Sequence, residues 1–146
     1  MSLENLPVPP TKTPFYSPKQ IFAGSFLGGP IALVYFLHGN FQKLEKRSAA
    51  MQTLWWGCFF NIALLAAMPF MPQHFPNYVI PLAYSWGARG IAESKQLSKE
   101  SIAESPQFRF HSNWKVLGLG VVFLLGTALL WIAYLLAIDS LSTESP

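Results

Sequence analysis

Hydrophobic positions along this chain fall into long apolar runs rather than alternating stretches. The longest uncharged interval, Ser48 to Ala88, covers 41 residues without one Asp, Glu, Lys or Arg. It is split at Met68-Pro-Phe-Met-Pro-Gln-His-Phe-Pro-Asn77, where Pro69, Pro72 and Pro76 forbid a continuous helix. In water such a run would aggregate, whereas about 20 apolar residues are what one helix needs to cross hydrocarbon. Further apolar runs start at Ile21 and Val116. The pattern predicts an all-α integral membrane protein, a small bundle of four transmembrane helices at about residues 20–38, 49–69, 77–93 and 115–138. The third is short. Its apolar part, Tyr78 to Ala88, gives about 16 Å of helix. It either spans by carrying Arg89 inward or it is re-entrant. A Pro-rich arm (1–16) precedes the membrane domain (17–138), a polar helical extension covers about 94–105, and a short tail follows (139–146). Arm and tail are expected to be disordered.

Within these elements some residues stand out. Ser17 before Pro18 reads as a helix start, because a hydroxyl can cap and proline suits the first helical position. Asn77 reads as the cap of the third segment, and Ser112 or Asn113 as that of the last. Gly24, Gly28 and Ala32 recur every fourth residue, so on one helix they form a stripe that lets another backbone approach closely. Ala133 and Ala137 repeat that spacing in the last span. Gly29-Pro30 interrupts the first span: it is either a kink in a packing helix or a break that lines a polar cavity. Asn61 places an amide in mid-span. Arg89 and Glu93, at i and i+4, can pair on one face. These three form a possible intramembrane polar site. The single cysteine, Cys58, reads as a buried packing residue.

Composition agrees with the pattern. Hydrophobic residues make up 51% and charged ones 12%, about half the usual charged share. A net charge of +3, dispersed along the chain, does not make a nucleic-acid surface. It does carry orientation. With four spans, the loops around Lys43 and Lys99 share a side and hold eight of the ten Lys and Arg residues, which puts both termini outside. With a re-entrant third segment the split is seven to three and the N-terminus is inside. Both arrangements keep the Lys99 loop cytoplasmic and the C-terminus outside.

Catalytic and metal chemistry find little support. His38, His74 and His111 lie in different loops without zinc-type spacing. Neither a nucleophile elbow nor a phosphate loop occurs. No catalytic residue, cofactor or metal is expected.

Tyr16-Ser17-Pro18-x-Gln20, Phe26-Leu27-Gly28-Gly29-Pro30, Phe75-Pro76-Asn77, Ile80-Pro81-Leu82-Ala83-Tyr84 and Ser112-Asn113-Trp114 together resemble an uncharacterised family of small bacterial multi-span inner-membrane proteins. The resemblance covers residues 16 to 138. It implies a membrane bundle in a bacterial inner membrane and carries no catalytic residue over. Two functions are expected from the residues. One is a non-enzymatic module that associates with itself or another membrane protein through the Gly24/Gly28/Ala32 stripe. The other is a small oligomeric transporter or channel lined by the Gly-Gly-Pro break, Asn61 and the Arg89–Glu93 pair.

Overall fold

A computed structural model describes residues 12–72 and 74–143. In chain order these form β1 (Thr13–Phe15), α1 (Pro18–Lys43), α2 (Arg47–Ala67, continued by a 3-10 turn at Met68–Phe70), α3 (Val79–Lys95), α4 (Lys99–Glu104), β2 (Phe108–Phe110) and α5 (Asn113–Thr143). Three of these stretches are long and apolar enough to cross a membrane: Pro18–Lys43, Arg47–Phe70 and Asn113–Ser140. The first has the composition of a span but not its course.

α1 folds back on itself. In an unbroken helix Tyr16 and Asn40 would lie about 36 Å apart. Instead the Tyr16 N–H donates to Asn40 Oδ1 at 3.0 Å and Asn40 Nδ2 donates to the Tyr16 carbonyl at 2.7 Å. The Phe36 ring lies so close over Gly24 that a Cβ there would collide with it. The reversal occurs at Gly29, whose φ of +82° and ψ of −173° occupy a region reserved for glycine. Pro30 then opens the returning arm, where its missing N–H and fixed φ fit a helix start. So the expected continuous first span at 20–38 is a helical hairpin, and Gly29-Pro30 makes a reversal instead of a kink.

The other helices are arranged around this hairpin. α5 runs beside the outgoing arm: Gly28 meets the backbone of Gly120, and Thr127 Oγ1 donates to the Gly28 carbonyl at 3.4 Å. α2 runs beside the returning arm, with Gly57 under Val34 and His38 Nδ1 2.9 Å from the Ala50 carbonyl. α3 presents Ser85, Ala88 and Ala92, spaced i, i+3, i+7 and each no more than 1% exposed. Small side chains on one face let α3 lie close against α1. Ile21, Ala32, Phe36, Leu37, Ala88, Ala92 and Val116 form the packed centre with Tyr16. Outside it, large apolar side chains such as Trp55, Phe59, Leu125, Leu129 and Leu136 are exposed on α2 and α5.

Several boundaries differ from expectation. β1 pairs in parallel with β2, Thr13 opposite Phe108 and Phe15 opposite Phe110. The end of the arm is therefore ordered, while residues 1–11 lie outside the described residues. The pairing also sets the end of the arm beside the α3–α5 connection, whereas the expected four-span threading puts arm and Lys99 loop on opposite sides. α3 ends at Lys95 rather than running on towards Pro106, because Gln96 leaves helical geometry and Ser98 caps a separate α4. Asn77 caps nothing: α3 starts at Val79 with no side-chain cap bond. Residues 139–143, expected in the disordered tail, continue α5. Cys58 is exposed on α2, not buried.

Candidate functional site

Polar side chains from five separate segments meet at the open end of the α1 hairpin. Ser17 and Gln20 form a reciprocal capping box that starts the outgoing arm, as the Ser17-Pro18 pattern predicts. Gln20 Nε2 also donates to the His111 carbonyl and to Asn113 Oδ1, both at 2.7 Å, tying α1 to the start of α5. Asn40, 1% exposed, joins the two arms of the hairpin through Tyr16 and donates to Gln96 Oε1 at 3.0 Å. Gln96 Nε2 donates to the Leu37 carbonyl at 2.9 Å, which binds the end of α3 to the returning arm. These side chains cluster near the helix ends, and several of them serve backbone groups outside the helices, such as the Tyr16 N–H and carbonyl and the His111 carbonyl.

The cations at this end are held in place. Lys43 Nζ donates to the Pro14 carbonyl and lies 2.9 Å from His111 Nε2. An ammonium has donors only, so Nε2 accepts and the imidazole proton sits on Nδ1. The His111 ring stacks on Tyr16 at 4.1 Å, and its backbone N–H donates to the Phe15 carbonyl. Burial, then Lys43, Lys115 and Arg109, push its pKa down to about 4, so the ring is neutral at pH 7. Burial likewise raises the Tyr16 hydroxyl above its usual range. Lys46 Nζ closes a further link, donating to the Lys95 carbonyl at 2.7 Å.

Two grooves open from this end and descend between the helices. One, about 930 Å³, lies between the outgoing arm and α5, with Lys19, Lys99 and Asn113 at its mouth and Gly24, Leu27 and Leu117 below. The other, about 640 Å³, lies between α2 and α3 over the returning arm. Lys46, Lys95 and Gln52 are at its mouth and Trp56, Phe60 and Gly87 along its walls.

The residues singled out by sequence are not gathered at one place. Gly24, Gly28 and Ala32 are buried, Gly24 under Phe36 and Gly28 against Ala32 and Gly120, so the stripe is occupied by contacts within the chain. Ala133 and Ala137 are exposed on α5. Asn61 Nδ2 donates to the Gly57 carbonyl of its own helix at 2.8 Å. Arg89 and Glu93 do pair, at 2.8 Å, but with side chains 33% and 48% exposed, and Arg89 lies 5.5 Å over Trp86. Break, amide and ion pair are thus each engaged by contacts of their own. The sequence reading assigned Asn40 and Gln96 no role and named Tyr16, Gln20 and His111 without joining them, because their contacts at this end reach 24 to 96 positions along the chain. The small face of α3 at Ser85, Ala88 and Ala92 was also missed, although its i, i+3, i+7 spacing carries a signal that could have found it. Among the described residues no group of three His, Cys, Asp or Glu side chains is placed to hold a metal ion.

Comparison of the chain with protein-family models, with curated proteins and with solved structures gives no match.

Proposed function

We propose that this is a non-enzymatic protein of a bacterial inner membrane, with α2, α3 and α5 crossing the bilayer and α1 entering and leaving on one side. Each arm of α1 is about 16 to 21 Å long, close to half the roughly 30 Å hydrocarbon thickness, so the Gly29 tip reaches about mid-depth. The pairing of β1 with β2 carries this reading. It joins the arm to the α3–α5 connection, and the bonds of Asn40 and Lys43 to Tyr16 and Pro14 bring the α1–α2 loop to the same end. All ten Lys and Arg residues then lie on that side or within two turns of it, and none on the side of the α2–α3 connection and the C-terminus. That distribution is more one-sided than either expected threading, and under the positive-inside rule it favours a cytoplasmic N-terminus and an outside C-terminus.

The protein acts in this reading by helix–helix association, with a second copy or another membrane protein. The Gly24/Gly28 stripe is occupied internally, so the contact falls to the outer half of α5. There Gly126, Ala133 and Ala137 are exposed, and at 3.6 residues per turn they lie within about 40° of one another. Such a face permits close approach of a helix in lipid.

Thiol access tests the placement. In a Cys58→Ala background, Lys12→Cys and Gln42→Cys are expected to resist a membrane-impermeant reagent in intact cells, while Asn77→Cys reacts. Labelling of Lys12→Cys from outside would restore a four-span threading. Co-purification tests the association: A133L/A137L is expected to release the partner copy or protein from a folded chain. Unchanged association would remove α5 from the interface. A flux through liposomes carrying the wild-type chain would favour the transport alternative instead.

A further inference from the structure

The groove between α2 and α3 has the build of a lipid site. α2 and α3 converge at two levels. At the basic end Lys46 bridges to the Lys95 carbonyl, and further along Phe60 and Tyr84 meet edge to face with ring centroids 6.1 Å apart. Between these levels the helices stand apart and the returning arm of α1 forms the floor, through Leu33, Leu37 and Phe41. Lys46 to Phe60 is about 21 Å along α2 and Lys95 to Tyr84 about 16 Å along α3, so the groove is about one leaflet deep. Its volume, about 640 Å³, lies in the range of small-ligand pockets.

Charge and polarity are graded along that depth. The mouth carries two exposed lysines and Gln52, and among the described residues no acidic side chain lines the groove. α2 begins there with no side-chain cap bond on its N-terminal turn, so the positive end of its dipole adds to the lysines. Below the mouth the walls are Trp56, Phe60, Ile91 and the small residues Gly57 and Gly87. A Cβ built at Gly87 meets nothing within 4 Å, so the space beside it is open.

We infer that this groove binds an anionic phospholipid of the adjacent leaflet, its phosphate headgroup at Lys46, Lys95 and the start of α2, and one acyl chain lying between α2 and α3. The cationic mouth selects an anion, and the depth and apolar walls select a chain. The inference rests on the membrane placement proposed above, not on association through α5.

Native mass spectrometry of the full chain, extracted from bilayers of equal phosphatidylglycerol and phosphatidylcholine, tests it. The wild type is expected to retain phosphatidylglycerol in preference. Gly87→Phe fills the open space and is expected to abolish retention, whereas Gly90→Phe, equally unobstructed but off the groove, keeps it. K46Q/K95Q is expected to lower phosphatidylglycerol retention by about tenfold or more, the scale of two lysines facing an anionic surface. Should Gly87→Phe fail to fold, the double lysine variant decides alone. Three results overturn the inference: retention that ignores headgroup charge, retention unchanged in the folded Gly87→Phe or lysine variants, or a co-purifying polypeptide that Gly87→Phe displaces in place of lipid. The thiol pattern reads the placement separately. If that pattern holds and lipid retention fails, the groove assignment alone falls.

Discussion

Asn40 does the most at residue scale. Its amide satisfies both the N–H and the carbonyl of Tyr16 and one oxygen of Gln96, in a position 1% exposed. Removing it strands buried partners, each at about 1–3 kcal/mol, so Asn40→Leu is expected to cost about 2 kcal/mol or more. A fall in the unfolding midpoint in detergent checks this. His111 gives a pH dependence. Its folded pKa, about 4, lies below the ordinary 6.5 or so of the unfolded chain. The folded protein therefore binds fewer protons than the unfolded chain between those values. Stability contributed by neutral His111 is full above about pH 6.5 and is lost as pH falls towards 4. Thermal unfolding across that window is expected to show the decline, and His111→Gln to flatten it.

At the scale of elements the hairpin turn dominates. Gly29 has a positive φ, and a Cβ there would also lie 3.3 Å from Thr127 Oγ1. Gly29→Ala is expected to destabilise by about 1–3 kcal/mol, the usual cost of a side chain in that backbone region. Thr127→Val, which removes only the long bond to the Gly28 carbonyl, is expected to cost less. Comparing unfolding midpoints of the two separates backbone conformation from contact. α3 shows a different logic. Its small face needs no special conformation, only spacing, and Ser85, Ala88 and Ala92 pack where larger side chains would hold the helices apart.

For the whole molecule, the short ribbon of β1 and β2 is the informative feature. Two strands of three residues contribute little to stability, yet they fix which segments share a side. Thr13→Cys with Phe108→Cys, in a Cys58→Ala background, is expected to form a disulfide on oxidation of isolated membranes, because register partners in a sheet lie within disulfide reach. Absence of the cross-link, with free thiols on both residues, would separate the arm from the α3–α5 connection. That result would withdraw the three-crossing topology.

The sequence by itself determined the helical class, the apolar runs, the Ser17-Pro18 start and the pairing of Arg89 with Glu93. These follow from local composition or from spacings of a turn or two, which a chain carries wherever it folds. It could not decide the course of α1. Gly28-Gly29-Pro30 is compatible with a kink, a break or a reversal, and mean hydropathy measures how apolar a run is, not which way it points. Direction was settled by groups far along the chain: the Phe36 ring over Gly24, Thr127 and Gly120 at the tip, and Asn40 on Tyr16. Tertiary structure alone could settle it, because each of those contacts depends on where two distant segments have already been placed.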